Sequence, residues 1–458
     1  MRLRPPLALE IAVARGVAAL SRGVGAGGGT TIPGRLLAEL DRGAIDRLAA
    51  RLANGTAVVS ATNGKTTTTA MVAEILRPSH RLAHNAAGAN LVSGVASALL
   101  SAGDADLGLF EVDEAALPEL VQRLRPGAVC LGNLFRDQLD RYGELELVAE
   151  RWRGAVARLP SETRLVYNAD DPQLAVVSEA QPDTVSFGLD DPRVARPALQ
   201  HAADSKYCVR CGTPYAYAAA YVGHLGDYRC PRGDHARPPL DIAAREITVR
   251  GLERTSFRLD TPEGSRSVEL ALPGLYNVYN AVAAAALARS LGATLDEVAA
   301  GLGRFSAAFG RFERIAIGEK RLLLLLIKNP AGANEAIRTL VDGGAPQRLV
   351  IALNDEIADG RDVSWIWDAD FEALLPALRT LVASGGRAAE LALRFRYGGL
   401  GENAIEVEPD LGRALDRGLG LTPDGGELVV LPTYTAMLDL QRLLASRGLA
   451  KPYWERSA

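Results

Sequence analysis

The chain reads as an α/β fold built on a parallel-rich sheet, and three features of the sequence say so. Strand-like and helix-like stretches alternate through most of its length, as they do where helices cover both faces of a parallel sheet. One apolar run, Thr56-Ala-Val-Val-Ser60, passes through Ala61-Thr-Asn-Gly-Lys-Thr66 into a helix-like run ending near Leu76, which is the order of a phosphate-binding loop. Other apolar runs end in carboxylates and asparagines, and open α/β sheets bind ligands at such strand ends.

Composition sets the limits. With 458 residues, 48% hydrophobic and 23% charged, the chain has material for several globular cores. A net charge of −4 gives no global basic field for nucleic acid. The apolar run Leu322 to Ile327 suits a buried strand and falls far short of the ~20 residues of a membrane helix. Met1-Arg-Leu-Arg-Pro-Pro6 carries charge like a signal peptide, but Glu10 and Arg15 interrupt the apolar stretch and no small-residue cleavage site closes it. A cytoplasmic protein is expected. Residues 1–54 read as an N-terminal arm, with an amphipathic helix over Leu7 to Leu20 and glycine-rich Gly23 to Gly29 leading to the core.

In the loop itself, Gly64 and the helix N-terminus behind it offer backbone N–H groups and a positive dipole end to a polyphosphate. Lys65 adds a point charge, the Thr66 hydroxyl suits Mg²⁺, and Thr62, Asn63 and Thr67 flank the nucleotide. The first glycine of the general pattern is missing, with Val59 at its spacing, so an ordinary turn opening a helix also accounts for this stretch taken alone. Asp106 to Asp113 reads as a strand ending in carboxylates. Glu111 and Asp113 lie where nucleotide-bound Mg²⁺ needs an oxygen ligand, although both would also serve as caps of the next helix. Gly127 to Asn133 is another strand, and the polar segment Asn133 to Gly143 that leaves it suggests a site wall. Leu165 to Pro172 is a third strand ending in polar groups.

The character changes between Ser205 and Pro239. Cys208 and Cys211 form one knuckle of a zinc ribbon and Cys230 begins a second. Gly233 stands where a fourth cysteine would be, leaving His235, Asp234, His224 or water as the remaining ligand, with His235 favoured by zinc's preference for N and S donors. A structural Zn²⁺ would staple an insert too small for a core. Further on, Asn277 and Asn280 share one face at the start of an alanine-rich helix, and capping explains only one of them. After Gly310-Arg-Phe-Glu313 a new alternation begins, which places a boundary near residue 315. In this second unit a buried strand from Leu349 discharges into the acidic loop Asn354 to Asp362, followed by Trp365 and Trp367.

Taken together, Thr62 to Thr68, the strand with Glu111, Asn133 to Gly143, the asparagine pair and Gly310 to Glu313 occur in the order seen in Mur ligases, which the chain resembles. Within that family it looks like the MurT branch. Thr30-Thr-Ile-Pro-Gly34, the cysteine ribbon, Lys328-Asn-Pro-Ala-Gly332, Asp359-Gly-Arg-Asp-Val-Ser-Trp365 and Pro432-Thr-Tyr-Thr435 carry that resemblance across nearly the whole chain. The resemblance implies a P-loop, Mur-ligase-type ATPase domain over 55–314 with a ribbon insert at 205–239. A smaller C-terminal α/β domain, 315–458, would contact a partner.

It also implies an activity. The α-carboxylate of D-glutamate in the lipid II stem peptide would be activated with ATP and Mg²⁺, then amidated with ammonia from a GatD-like glutamine amidotransferase, near the inner membrane face. Lys65 and Thr66 would hold phosphates and Mg²⁺, Glu111 would be a metal ligand, Asn277, Asn280 and Arg311 would lie by the nucleotide, and Asp362 would serve the partner's glutaminase site. Where other Mur ligases have Asp-Tyr-Ala-His-x-Pro, this chain reads Leu325-Leu-Ile-Lys-Asn-Pro330. Two other readings are an amino-acid ligase of the folylpolyglutamate type, and a zinc-ribbon nucleic-acid binder using Arg210, Arg229, Arg232 and Arg237. Three of the four cysteines belong to the ribbon, and Cys130 lies in an apolar strand where a thiol is inert packing. Nitrogen must therefore come from another chain or from free ammonium.

Overall fold

The computed structural model describes residues 32–41, 43–85, 89–137, 144–200, 203–306 and 311–450, with the side chains of residues 38 and 311 excepted. The expected helix over Leu7 to Leu20, the glycine-rich stretch after it, and residues 138–143 of the polar segment lie outside them.

Two sheets carry the fold, as the alternating pattern predicts. The first begins with β1 (Thr56–Ser60), β2 (Leu82–His84), β3 (Leu107–Glu111), β4 (Ala128–Leu131), β5 (Arg164–Asn168) and β6 (Thr184–Leu189), all parallel, in the spatial order β2-β3-β1-β4-β5-β6. Beyond β6 the sheet continues with β9 (Ile242–Arg250), β10 (Arg254–Thr261) and β11 (Gly264–Leu270), the last two antiparallel to their neighbours. All five residues of β1 are buried, as expected of a central strand covered on both faces. Between β6 and β9 the ribbon segment forms its own antiparallel hairpin, β7 (Ala216–Val222) with β8 (Leu225–Arg229).

The chain leaves β1 for β2 and β3 on one side, then crosses to β4 on the other. The C-terminal end of β1 is therefore a topological switch point, where open α/β sheets place their ligands. The helix Lys65–Leu76 starts there. It packs against the alanine-rich helix Leu275–Ser290, whose Ala281 and Ala283 to Ala286 are at most 2% exposed. Small side chains let that helix pass close between its neighbours.

The second sheet opens with β12 (Arg311–Ile317), antiparallel to β13 (Lys320–Leu325). It continues in parallel through β17 (Glu427–Pro432), β14 (Arg348–Ala352), β15 (Thr380–Ser384) and β16 (Ile405–Val407). One continuous apolar core runs from the first sheet, through Val59 and Val278, to Leu325, Ile351 and Leu431 of the second. The strand ends that carry polar groups therefore face a seam between the two sheets. Among the described residues no helix is long and apolar enough to cross a membrane.

Candidate active site

The phosphate-type loop turns tightly because Gly64 sits at φ +88°, a left-handed conformation that suits glycine, and because Asn280 presses on it. A Cβ at this position would lie 2.0 Å from Asn280 Oδ1. Val59, at the spacing of the missing first glycine, is an ordinary member of β1 paired between Glu111 and Cys130, so no glycine is needed there. Asn133 holds the loop. It accepts from the Asn63 N–H at 2.9 Å through Oδ1, donates back to the Asn63 carbonyl at 2.9 Å, and takes the Thr62 N–H on its own carbonyl. Gly64 has no side chain to cap the helix behind it, and uncapped first-turn N–H groups are what an anion binds. Gly64→Ala is accordingly expected to weaken nucleotide binding at least tenfold, roughly the cost of displacing one well-placed hydrogen-bonding group, read by calorimetric titration with ATP.

Lys65 is buried. Its ammonium donates to the Ala61 carbonyl at 2.6 Å and to Glu114 Oε2 at 2.6 Å. Burial pushes the Glu114 carboxyl up, but Lys65 and then Lys328 outweigh it and hold the group below the ordinary carboxylate range. Lys328, from the end of β13, meets Asp137 at 2.5 Å, and burial raises Asp137 despite that partner. Buried Lys65, Glu114 and Asp137 and half-buried Lys328 thus form one charge cluster beside the loop, from segments that follow strands of both sheets. Next to it Asn63 and Asn329 exchange amide hydrogen bonds at 3.2 and 3.1 Å across the seam, while Asn329 also caps the helix Pro330–Asp342.

Glu111 ends β3 beside the loop. Its N–H donates to Asn85 Oδ1 at 2.9 Å and its Oε1 accepts from Asn90 at 3.2 Å. Asp113 accepts from the Ala115 N–H at 3.1 Å, which is turn-capping chemistry, so the two acids separate. Asn277 donates to the Pro273 carbonyl at 2.7 Å and accepts from Asn280 at 3.3 Å, while Thr68 reaches Asn280 Oδ1 at 3.4 Å. Neither asparagine is the helix N-cap, which is Gly274. Thr66 lies on the first helical turn, half-buried. The Arg311 side chain lies outside the described residues.

A cleft opens along the seam. Asn63, Gly64, Thr67 and Asn280 line it from the first sheet, Lys328, Gly332 and Glu335 from the second, with Phe135, Tyr276 and Phe312 as apolar wall. Sequence reasoning stopped one residue short at Asp113, although Glu114 continues the same run of acids at a strand end. Asp137 was inside a segment read as polar without a role of its own. Conversely, the polar end of β5 is structural. Asp170 and Asp171 are fully buried, Asp171 capping the helix Pro172–Ser178 and Asp170 accepting from Tyr279 at 2.6 Å and from Arg237 at 3.2 Å.

At the ribbon, the sulfur atoms of Cys208, Cys211 and Cys230 lie within 4.8 Å of one another, Cys211 and Cys230 at 3.5 Å. Zn–S bonds of about 2.3 Å in a tetrahedron require sulfurs a little under 4 Å apart, roughly what is present, so three thiolates fit the metal. Neither His235 nor Asp234, both candidates for a fourth ligand, belongs to that three-sulfur cluster. His235 is outside the cluster, its Nδ1 paired with the Tyr215 hydroxyl at 2.6 Å and its ring packed on Tyr215 and Tyr228. Asp234 Oδ2 lies 3.9 Å from Cys230 Sγ. His224 sits at the opposite end of the hairpin, against Asp171 at 3.5 Å. Gly233 has φ +81°, as Gly212 has +70° after the first knuckle, so a cysteine at 233 would be strained. Metal analysis of the purified chain is expected to find about one Zn²⁺, retained in His235→Ala and weakened in Asp234→Ala. Cys130, buried in β4, has its thiol pushed up to about 12 by burial, in keeping with inert packing.

With this geometry in place, comparison with known proteins is decisive. Residues 59–223 match the Mur ligase middle domain and residues 326–437 match the MurT ligase C-terminal family. The lipid II isoglutaminyl synthase (glutamine-hydrolyzing) subunit MurT of Streptococcus pneumoniae is 34% identical over 431 residues, covering 93% of this chain and 94% of that protein. The chain belongs to the MurT family. The subunit of the same name from Staphylococcus aureus is 29% identical, covering 92% of this chain and 93% of its own. A solved pseudomurein peptide ligase type C from Methanothermus fervidus shares the fold, with a TM-score of 0.68 at 21% identity over 88% of this chain and 80% of that one. The ribbon and the Lys328-Asn-Pro segment, which set the MurT branch apart in the sequence, are thus features of a family member, and the α/β architecture is that of the Mur ligases.

Proposed function

We propose that the chain is the ATP-dependent synthetase subunit of a lipid II isoglutaminyl synthase. In this reading it activates the α-carboxylate of D-glutamate in the lipid II stem peptide as an acyl phosphate, and ammonia from a GatD-like glutaminase partner converts it to D-isoglutamine. The observation that carries the reading is the uncapped Gly64 loop placed with Lys65, Glu111 and Glu114 against Lys328 and Asn329 of the second sheet. Joining a carboxylate to ammonia needs a leaving group, and that arrangement suits phosphoryl transfer to a carboxylate oxygen.

The residues divide the work. Gly64, Lys65 and the first helical turn would hold the polyphosphate, with Thr62, Asn63 and Thr67 alongside, and Asn277 and Asn280 would lie by the nucleotide, as the resemblance also implies for Arg311. Thr66 and Glu111 would hold Mg²⁺, which supplies charge neutralisation on the transferring phosphoryl group. Glu111 is suited to this because Asn85 and Asn90 fix its backbone and carboxylate. The substrate carboxylate attacks the γ-phosphorus and ADP leaves. Ammonia then attacks the carbonyl carbon and phosphate leaves, with Lys65 and Lys328 at hand for the charge that develops. Residues 55–314 would act as the ATPase domain and 315–458 as the domain meeting the partner, with the protein cytoplasmic and working near the inner membrane face.

A nucleic-acid role for the ribbon finds less support, because Arg210 pairs with Glu179 and Arg237 with Asp170, which neutralises half of the expected basic face. The folylpolyglutamate-type reading is separated by substrate. ATP turnover should require lipid II bearing a free D-glutamate α-carboxylate, and hydroxylamine should trap the activated carboxylate as a hydroxamate. Turnover driven by an added amino acid in place of ammonia would favour the amino-acid ligase.

A further inference from the structure

The hairpin of β7 and β8 is tied at one end to the cysteines and at the other to the nucleotide cleft. The Cys208 knuckle precedes β7 and Cys230 immediately follows β8, the two knuckles closed by Cys208 N–H to the Thr213 carbonyl at 2.8 Å and Cys230 N–H to the His235 carbonyl at 2.7 Å. At the far end, Val222 and Leu225 are buried and line the cleft beside Asn63 and Gly64. Between them Gly223 and His224 meet Phe135. A Cβ on Gly223 would lie 2.8 Å from that ring, and the His224 ring stands 4.8 Å from it. Phe135 in turn donates its N–H to Thr62 Oγ1 of the phosphate loop at 3.1 Å. The hairpin also reaches the helix Pro330–Asp342, the Tyr221 carbonyl accepting from Arg338 at 3.0 Å.

An isolated two-stranded hairpin is marginal in water. This one belongs to neither large sheet; buried Tyr221 and Tyr228 and the Gly226 N–H to Asp170 carbonyl bond at 3.0 Å hold its body, and the cysteine knuckles close its open end. We propose that a metal held by Cys208, Cys211 and Cys230 is a positioning element of the nucleotide pocket, fixing the hairpin so that Val222 and Leu225 complete the wall against which ATP binds. The inference rests on the nucleotide reading of the cleft. The cysteines touch no substrate, and Val222 and Leu225 act by shape.

Coupling between two sites is reciprocal in their affinities, so it can be read from either side. In the full-length chain, removing Zn²⁺ is expected to weaken ATP binding about tenfold, and saturating ATP to tighten Zn²⁺ by the same factor in competition with a chelator, a size typical of linked sites. Turnover at saturating ATP changes little, since the effect lies in KM. Leu225→Ala is expected to keep the zinc affinity of the nucleotide-free protein while losing most of the ATP-dependent gain, which a metal serving fold stability alone would not show. Equal zinc affinity with and without ATP, in protein that binds both, overturns the inference, as does a chain that takes up no Zn²⁺ at these cysteines. Protein that binds Zn²⁺ but no ATP overturns the nucleotide reading itself, and the coupling with it.

Discussion

Replacing Lys65 by methionine is expected to lower ATP turnover and amidation by at least about two to three orders of magnitude, the usual loss when a preorganised charge facing a developing anion is removed. The buried pair adds a second consequence that the sequence alone does not suggest. Lys65 is the nearest partner of Glu114, which is fully enclosed, and breaking a buried pair by removing one member costs about 3–5 kcal/mol. The single variant therefore loses stability as well as activity.

The pH dependence gives the sign. In the native chain the Glu114 carboxyl is held below its ordinary range, so its contribution is present above the unfolded value and is lost as pH falls through the folded one. Without Lys65 the strongest charge opposing burial is lost and ionising Glu114 costs more, so the variant's deficit is expected to be largest at neutral pH and to shrink on acidification. Lys65→Met combined with Glu114→Gln should recover the unfolding midpoint without recovering turnover. Near-native ATP turnover in either variant would contradict the nucleotide role of the loop.

The second large effect belongs to Asp362. Of the three aspartates in the acidic loop, Asp355 pairs with Arg387 at 3.2 Å, and Asp359 is buried and accepts from the Thr435 N–H at 2.9 Å. Asp362 is exposed, and its Oδ1 accepts from the Ser364 N–H at 2.8 Å. The Ser364 hydrogen bonds hold its carboxyl below the usual range, keeping it ionised. An exposed, oriented carboxylate is what a Cys-His pair on another chain needs to fix its histidine, and losing such an acid costs up to about 10⁴ in rate. Ile357, Trp367 and Tyr397 are exposed on the same unit, with Trp367 and Tyr397 in edge contact at 5.9 Å, as aromatic anchors of an interface would be. Asp362→Asn is expected to reduce glutamine-dependent amidation at least a hundredfold and to leave ammonium-dependent amidation nearly unchanged. Equal loss with both donors would place Asp362 in the synthetase site, and no loss with either would leave it as turn chemistry.

Much of this was legible in the sequence because period and composition act locally. The alternation that predicts a parallel-rich α/β fold, the Gly64 turn and the carboxylate at the end of β3 each follow from a few adjacent residues. What stayed hidden depends on pairing across long separations. Nothing near Lys65 announces Glu114, nothing near Asp137 announces Lys328, and the mutual bonds of Asn63 and Asn329 join residues from opposite sides of the seam. The ribbon shows the same limit. Zinc chemistry favours histidine, but nothing near His235 in the sequence announces that its Nδ1 pairs with the Tyr215 hydroxyl and its ring packs on Tyr228. At the end of β5 the polarity was real, yet the Asp170 carboxylate is spent on Tyr279 and Arg237 and that of Asp171 on capping a helix.

A carboxylate activated by phosphorylation in the cleft between the two sheets gives one of its oxygens to phosphate, and that oxygen can be followed. Lipid II whose D-glutamate α-carboxylate carries a heavy oxygen isotope is incubated with the chain, ATP, Mg²⁺ and ammonium, and the phosphate and peptide are read by mass spectrometry. One heavy oxygen is expected in the inorganic phosphate for each D-isoglutamine formed. Heavy oxygen in AMP, or ATP consumed with no label leaving the peptide, would contradict it.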